Sequence, residues 1–115
     1  MDFETFRIDV LRTLRPELGE RDRLLAGALG LCGEAGEVAE HLKKALYHDH
    51  PMDTKALRNE LGDVLWYWVV LCDTLGLSLD EVIEANVEKR SKRYPEGFSA
   101  ERSLRREDAS SQGGE

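Results

Sequence analysis

The sequence predicts an all-α protein, a bundle of four to five helices that assembles as an oligomer. Three observations carry this expectation. Apolar residues recur at intervals of three and four along four separate segments, the spacing of a helix with one face turned inward. Proline, glycine and capping residues punctuate the gaps between those segments. The stretch 64–72 is apolar almost all round, more than one small bundle can enclose, so a second copy of the chain is expected to supply the cover.

Composition bounds the rest. The 115 residues fit one moderate core, and residues 1–107 read as a single domain with a disordered tail over 108–115. Hydrophobic residues make up 41% and charged residues 34%, a balance that suits a soluble helical protein. The formal charge of −7 argues against nucleic-acid polymers, whose phosphates an acidic surface repels. A small phosphorylated ligand stays open, provided bound metal and local Lys or Arg reverse the sign. Cys32 and Cys72 fall on apolar stripes without zinc spacing, so they are expected to be reduced core thiols in a cytoplasmic protein. No signal peptide is recognised, and the apolar run is too short to span a membrane.

The first helix is marked by Phe3, Phe6, Val10 and Leu11 and halts near Arg15-Pro16. The second runs from about Asp22 to Tyr47. Its expected core stripe is Leu24, Leu25, Ala28, Leu31, Cys32, Ala35, Val38, Ala39, Leu42, Ala45 and Leu46. Beside it Glu34, Glu37, His41 and Lys44 form a polar stripe at +3, +4 and +3. Gly30, Gly33 and Gly36 interrupt the helix, each costing up to about 1 kcal/mol relative to Ala. Their regular interval suggests either that something approaches the backbone closely there or that the helix is locally loose.

Residues 48–53 read as a loop in which His48 and His50 could hold a metal, although a solvated loop explains them more simply. Asp53 is an N-cap for the third helix, about Thr54 to Leu75. Its expected core stripe is Leu57, Leu61, Val64, Leu65, Trp68, Leu71, Cys72 and Leu75, with Glu60, Asp63, Tyr67 and Val70 on the adjacent face. Gly76 ends it. Ser78 to Glu81 has the form of a capping box, opening a fourth helix to about Arg93 on which Asn86, Lys89 and Arg93 share a face. After Tyr94-Pro95 the chain is expected to be extended, with Phe98 tucked back.

The chemistry is expected at two acidic couplets, Glu34 with Glu37 and Glu60 with Asp63. Residues three apart in a helix lie about 60° from one another, so each couplet points two carboxylates from one face. Like charges so placed repel, and a helix gains nothing from them. Converging from two antiparallel helices, the four would make an oxygen-rich site for a hard divalent cation such as Mg²⁺, with Mn²⁺ as a substitute. The plain alternative is two solvated faces in an acidic protein. A cationic face formed by Lys89 and Arg93 could close over such a site and hold phosphates, or could merely complement the helix dipole.

Three ordered motifs raise the specificity. Gly30-Leu-Cys-Gly-Glu34-Ala-Gly-Glu37-Val, then Glu60-Leu-Gly-Asp63-Val-Leu-Trp-Tyr67, then Asn86-x-x-Lys89-x-x-x-Arg93-Tyr-Pro-x-Gly-Phe98 resemble the MazG-like nucleotide pyrophosphohydrolases over about residues 24–106. That group belongs to the all-α NTP pyrophosphatases, close here to the dCTP pyrophosphatase branch. The resemblance implies a helical homodimer or homotetramer that cleaves nucleoside triphosphates to the monophosphate and pyrophosphate, as in house-cleaning of the nucleotide pool. By motif position it makes Glu34, Glu37, Glu60 and Asp63 the Mg²⁺ ligands and catalytic acids. Tyr67 would line the nucleotide pocket, and Asn86, Lys89, Arg93 and Tyr94 would contact substrate; Lys44 joins them from the polar stripe. Many members carry two adjacent glutamates at the first couplet, whereas Gly33 holds the earlier position here. The number of metals and the identity of the general base therefore stay open.

Other readings compete. A ferritin-like di-iron bundle needs Glu-x-x-His on two helices. None of the three histidines has a Glu three residues before it, so that reading falls. A non-catalytic helical binding module has no need for repulsive couplets. Phosphoribosyl-ATP pyrophosphatase is the alternative enzyme, but the segment from Arg93 to Phe98 fits the MazG-like group better.

Overall fold

A computed structural model describes residues 1–105, and these contain five α-helices and no named strand. They are α1 (Phe3–Thr13), α2 (Glu20–Tyr47), α3 (Thr54–Thr74), α4 (Leu79–Arg93) and α5 (Ala100–Arg105). The expected tail over 108–115 lies outside the described residues. The chain separates into two compact units, Met1–Leu79 and Asp80 onward.

Local chemistry places the ends of the helices in the first unit. The carboxylate of Asp2 accepts a hydrogen bond of 2.8 Å from the Thr5 backbone N–H, capping α1. The Asp53 carboxylate does the same for α3 through Ala56 N–H at 3.0 Å, as its sequence position predicts. At the other end of α3, Gly76 adopts φ +74°, a left-handed value that a Cβ would strain. With that turn made, Leu77 N–H reaches Cys72 O at 2.9 Å and Gly76 N–H reaches Asp73 O at 3.1 Å. This is the Schellman arrangement, which satisfies the last carbonyls of the helix.

The helices α2 and α3 pack on one another, and α1 packs on α3. Glycine lets α2 come close. A Cβ at Gly30 would stand 2.1 Å from Tyr67 Cε1, and one at Gly27 would stand 2.8 Å from Leu71 Cδ2. The expected close approach is therefore real at Gly30. Around Gly33 and Gly36, by contrast, an added Cβ meets nothing within 4 Å.

On its other side, α3 is tied to α1. The Arg7 guanidinium donates to Asp73 Oδ1 at 2.9 Å, and the Trp66 indole N–H donates to Thr13 Oγ1 at 2.9 Å. Val10, Val69 and Val70 are fully buried within the single chain. This corrects the expectation that the apolar run 64–72 depends wholly on a second copy: Val69, Val70 and Cys72 are already enclosed here. Periodicity shows that a helix needs cover all round, but it does not say which neighbour provides it.

Several expected core positions are instead exposed. Leu25 is 55% exposed, Leu46 66%, Leu61 53%, Leu65 48% and Leu75 58%, and Cys32 is exposed too. An α2 with apolar residues on two faces can press only one of them on α3. Cys72 is buried as expected, and that burial raises its thiol pKa.

In the second unit, α4 ends at Arg93, and a hydrogen bond of 3.0 Å from Arg90 Nε to Asn86 Oδ1 spans its last two turns. The chain beyond is not simply extended. It turns through Gly97 at φ +95° and enters α5. Phe98 is 78% exposed, so it is not tucked into a core, although its ring lies 5.3 Å from that of Tyr94.

Candidate metal centre

The acids of the two couplets meet across the α2–α3 packing. Glu34 and Glu37 leave α2 one turn apart, and Glu60 and Asp63 leave α3 likewise. Carboxylate oxygens of Glu34, Glu60 and Asp63 all lie within 4.8 Å of one another. Glu34 and Glu60 are half-buried, while Asp63 opens to solvent. Glu37 falls in a second, overlapping group with His41 and Glu60, again with donor atoms within 4.8 Å.

The electrostatics follow from this crowding. The carboxyls of Glu34 and Glu60 stand close enough for a hydrogen bond, which two carboxylates can make only if one is protonated. That bond pushes the Glu34 pKa up to about 7, helped by partial burial and by the charges of Glu60, Asp63 and Glu37. A divalent cation would take the place of that proton and offset the remaining charge. The donor set is all oxygen on this side, which suits Mg²⁺. The residues present therefore fit a hard divalent ion.

Beside the acids is a hollow of about 280 Å³ lined by Glu34, Asp63, Trp66 and Tyr67. The two aromatic rings stand edge to face, with centroids 5.0 Å apart and planes at 81°. The absence of a Cβ at Gly30 gives the Tyr67 ring its place, and the bond to Thr13 holds the Trp66 indole. Sequence reasoning places Tyr67 here but overlooks Trp66, which it treats as a surface for a second copy. The same two rings border a smaller hollow of about 190 Å³ with Thr13, Leu14 and Leu18 among its lining.

The remaining expected site residues are placed as follows. Lys44 lies on α2 three residues past His41, with its ammonium 3.9 Å from Glu40 Oε1 and so engaged along its own helix. Asn86, Lys89 and Arg93 lie on α4 and Tyr94 follows it, all in the second unit. The Arg93 guanidinium sits 5.9 Å over the Tyr94 ring. His48 and His50 are exposed and belong to no clustered group of metal-ligating side chains among the described residues. It is His41, the third member of the polar stripe, that stands among the acids, its Nε2 3.9 Å from Glu60 Oε1. The signal for it was its position one turn after Glu37.

Fold and site together define an all-helical domain with a carboxylate centre suited to a divalent cation. A profile of the MazG nucleotide pyrophosphohydrolase domain matches residues 24–98, well over half of the chain, and the protein belongs to that family. The family implies a pyrophosphohydrolase. The chain is also similar to the Gene 37 protein of Mycobacterium phage L5, with 38% identity over 73 residues. That match covers 60% of this chain and 64% of the phage protein, whose name states no activity. No solved structure matches the chain significantly.

Proposed function

We propose that the protein is a Mg²⁺-dependent nucleoside triphosphate pyrophosphohydrolase that converts (d)NTP to (d)NMP and pyrophosphate, in the manner of a house-cleaning enzyme. The observation that carries this reading is the convergence of Glu34, Glu60 and Asp63 from two helices inside a chain of the MazG family. Glu34, Glu37, Glu60 and Asp63 are the proposed cation ligands. When bound, Mg²⁺ supplies charge to the phosphoryl oxygens and acidifies a water. The reaction forms a bond from a water oxygen to the α phosphorus and breaks the bridge to the β phosphate. The water's proton passes to a neighbouring base, and pyrophosphate departs.

The aromatic walls suit the other half of such a substrate. Trp66 and Tyr67 offer ring faces and edges to a nucleobase beside the acidic centre. Asn86, Lys89, Arg93 and Tyr94 are the proposed substrate contacts of the second unit, on the strength of the motif they form; the cations among them suit phosphate. Lys44, held to Glu40, is the weakest of the expected contacts.

We further propose self-association, with a second copy covering the exposed apolar residues of α2 and α3, Leu25, Leu29, Leu61 and Leu65. A long α2 with apolar residues on two faces supports it. A cytoplasmic location is proposed from the reduced cysteines, and no single helix among the described residues is long and apolar enough to cross a membrane.

The test is a panel of NTPs and dNTPs with Mg²⁺, assayed for pyrophosphate and orthophosphate. Release of pyrophosphate from at least one triphosphate, abolished by EDTA, is expected. Stepwise release of orthophosphate, or full activity in EDTA, overturns the reading. Light scattering on the same preparation should exceed the 13.0 kDa of one chain; a folded monomer at micromolar concentration would refute self-association.

A further inference from the structure

We propose that Glu37, His41 and Glu60 form a second cation site beside the all-carboxylate one, selective for borderline metals such as Mn²⁺, Co²⁺ or Zn²⁺ over Mg²⁺. The inference rests on the reading of Glu34, Glu60 and Asp63 as a metal centre and extends it to a residue that neither the acidic motifs nor the family match singles out.

The geometry begins on α2. Glu37 and His41 are four residues apart, so they project from one face of the helix a single turn from each other. A carboxylate and an imidazole at that spacing can grip one ion without bending the backbone. Glu60 reaches the pair from α3, and the donor atoms of all three lie within 4.8 Å of one another. Donors on opposite sides of an ion at about 2.1 Å stand about 4.2 Å apart, so small rotations of these side chains would close the site. His41 Nε2 and Glu60 Oε1, at 3.9 Å, already fall within that span and too far apart for a hydrogen bond. The histidine is half-buried and keeps a path to solvent by which an ion can enter.

Glu60 is common to both groups. A carboxylate has two oxygens and can bridge two ions, and paired metals in hydrolytic sites stand about 3.5–4 Å apart. The two groups differ in chemistry. One offers three carboxylates, a donor set that suits Mg²⁺. The other replaces a carboxylate by an imidazole, which Mg²⁺ takes poorly and Mn²⁺, Co²⁺ or Zn²⁺ take well. The site thus discriminates by donor type at a single position, His41.

Metal binding itself tests this, without turnover. Zinc is titrated into ¹⁵N-labelled wild type, His41→Asn and His41→Gln while the imidazole resonances and calorimetric stoichiometry are followed. In wild type the His41 ring nitrogens should shift with the first equivalents, ahead of His48 and His50. Both variants should lose one Zn²⁺ per chain, or about tenfold or more in its affinity, with Mg²⁺ binding unaltered. Circular dichroism reports whether each variant is folded, and the wild-type ring shifts decide the matter even if neither is. Shifts confined to His48 and His50, or a His41 resonance that ignores zinc, overturn the proposal. If Mg²⁺ fails to bind wild type and variants alike, the carboxylate centre is wrong, and the His41 shifts still report separately on the second site.

Discussion

Asp63 and Asp73 occupy the same helix, yet their surroundings are opposite. Asp73 faces α1, where the Arg7 guanidinium meets it at 2.9 Å, and Arg7 is further held by Glu4 at 2.8 Å. Those bonds, the one to Glu4 first, hold the guanidinium pKa above its usual range. Asp63 faces α2, where it meets Glu34 with Glu60 of its own helix alongside, and Glu60 first among these neighbours pushes the Glu34 pKa up to about 7. One side of α3 is built with its charges matched, and the other with like charges gathered. Stability accounts for the first arrangement. The second costs stability, and it makes sense as a place prepared for a cation.

The largest expected difference comes from neutralising each aspartate in turn. Asp63→Asn keeps the side-chain volume but removes a proposed ligand, so turnover should fall by about a hundredfold to a thousandfold, as loss of a catalytic electrostatic group does. Without metal the same variant should be as stable as wild type or slightly more so, since a like charge is gone. Asp73→Asn should do the reverse. It leaves Arg7 with a weakened partner at a part-exposed pair, costing about 0.5–1 kcal/mol, and leaves turnover near wild type. Pyrophosphate assays and urea unfolding of both variants check this. Equal behaviour of the two would dissolve the contrast between the two sides.

A smaller effect is expected at the packing that sets the acidic side in place. Gly30→Ala puts a methyl 2.1 Å from the Tyr67 ring, and the helices or the ring must move. A loss of about 1–3 kcal/mol follows from such overpacking. Tyr67→Ala should relieve most of it in the double variant, giving a clearly non-additive cycle in thermal unfolding. Gly36→Ala, with open space around its Cβ, should instead gain up to about 1 kcal/mol from helix propensity.

Much of this contrast was legible in the sequence. The couplets Glu34/Glu37 and Glu60/Asp63 announce themselves because an i,i+3 pair of like charges has no structural reward, and the structure brings three of the four into one group and the fourth into its neighbour. Asp53 and Gly76 mark helix ends by local chemistry, which needs no knowledge of the fold. What periodicity leaves undecided is which element covers which face. Val69 and Val70 were expected to await a second copy, while α1 lies on that side of α3; Leu61 and Leu65 were expected inside and are exposed. The partner of His41 was hidden for the same reason. Its place on the polar stripe was plain, but only the tertiary packing of α2 on α3 shows that it faces Glu60.

The smallest effect tests the proton on Glu34 itself. The Glu34 carboxyl has an ordinary pKa of 4.5 and is pushed to about 7 in the folded chain, first by its hydrogen bond to Glu60 and then by partial burial and neighbouring charge. Between those two values the folded chain holds a proton that the unfolded chain has released. The metal-free protein should therefore lose stability as pH rises from 4.5 to about 7, and level off above. Divalent metal competes for the same site and must displace that proton, so its affinity should climb over the same window and flatten beyond it. Glu34→Gln separates the causes. Its amide N–H can donate to Glu60 at any pH, so the hydrogen bond survives without a titrating proton. Thermal melts of that variant without metal should show a flatter pH profile than wild type, with the difference concentrated between 4.5 and 7. If wild type and Glu34→Gln trace the same profile, Glu34 does not hold that proton in solution. The acidic side of α3 would then be an open, solvated face, and its contrast with the Asp73 side would shrink to one ion pair.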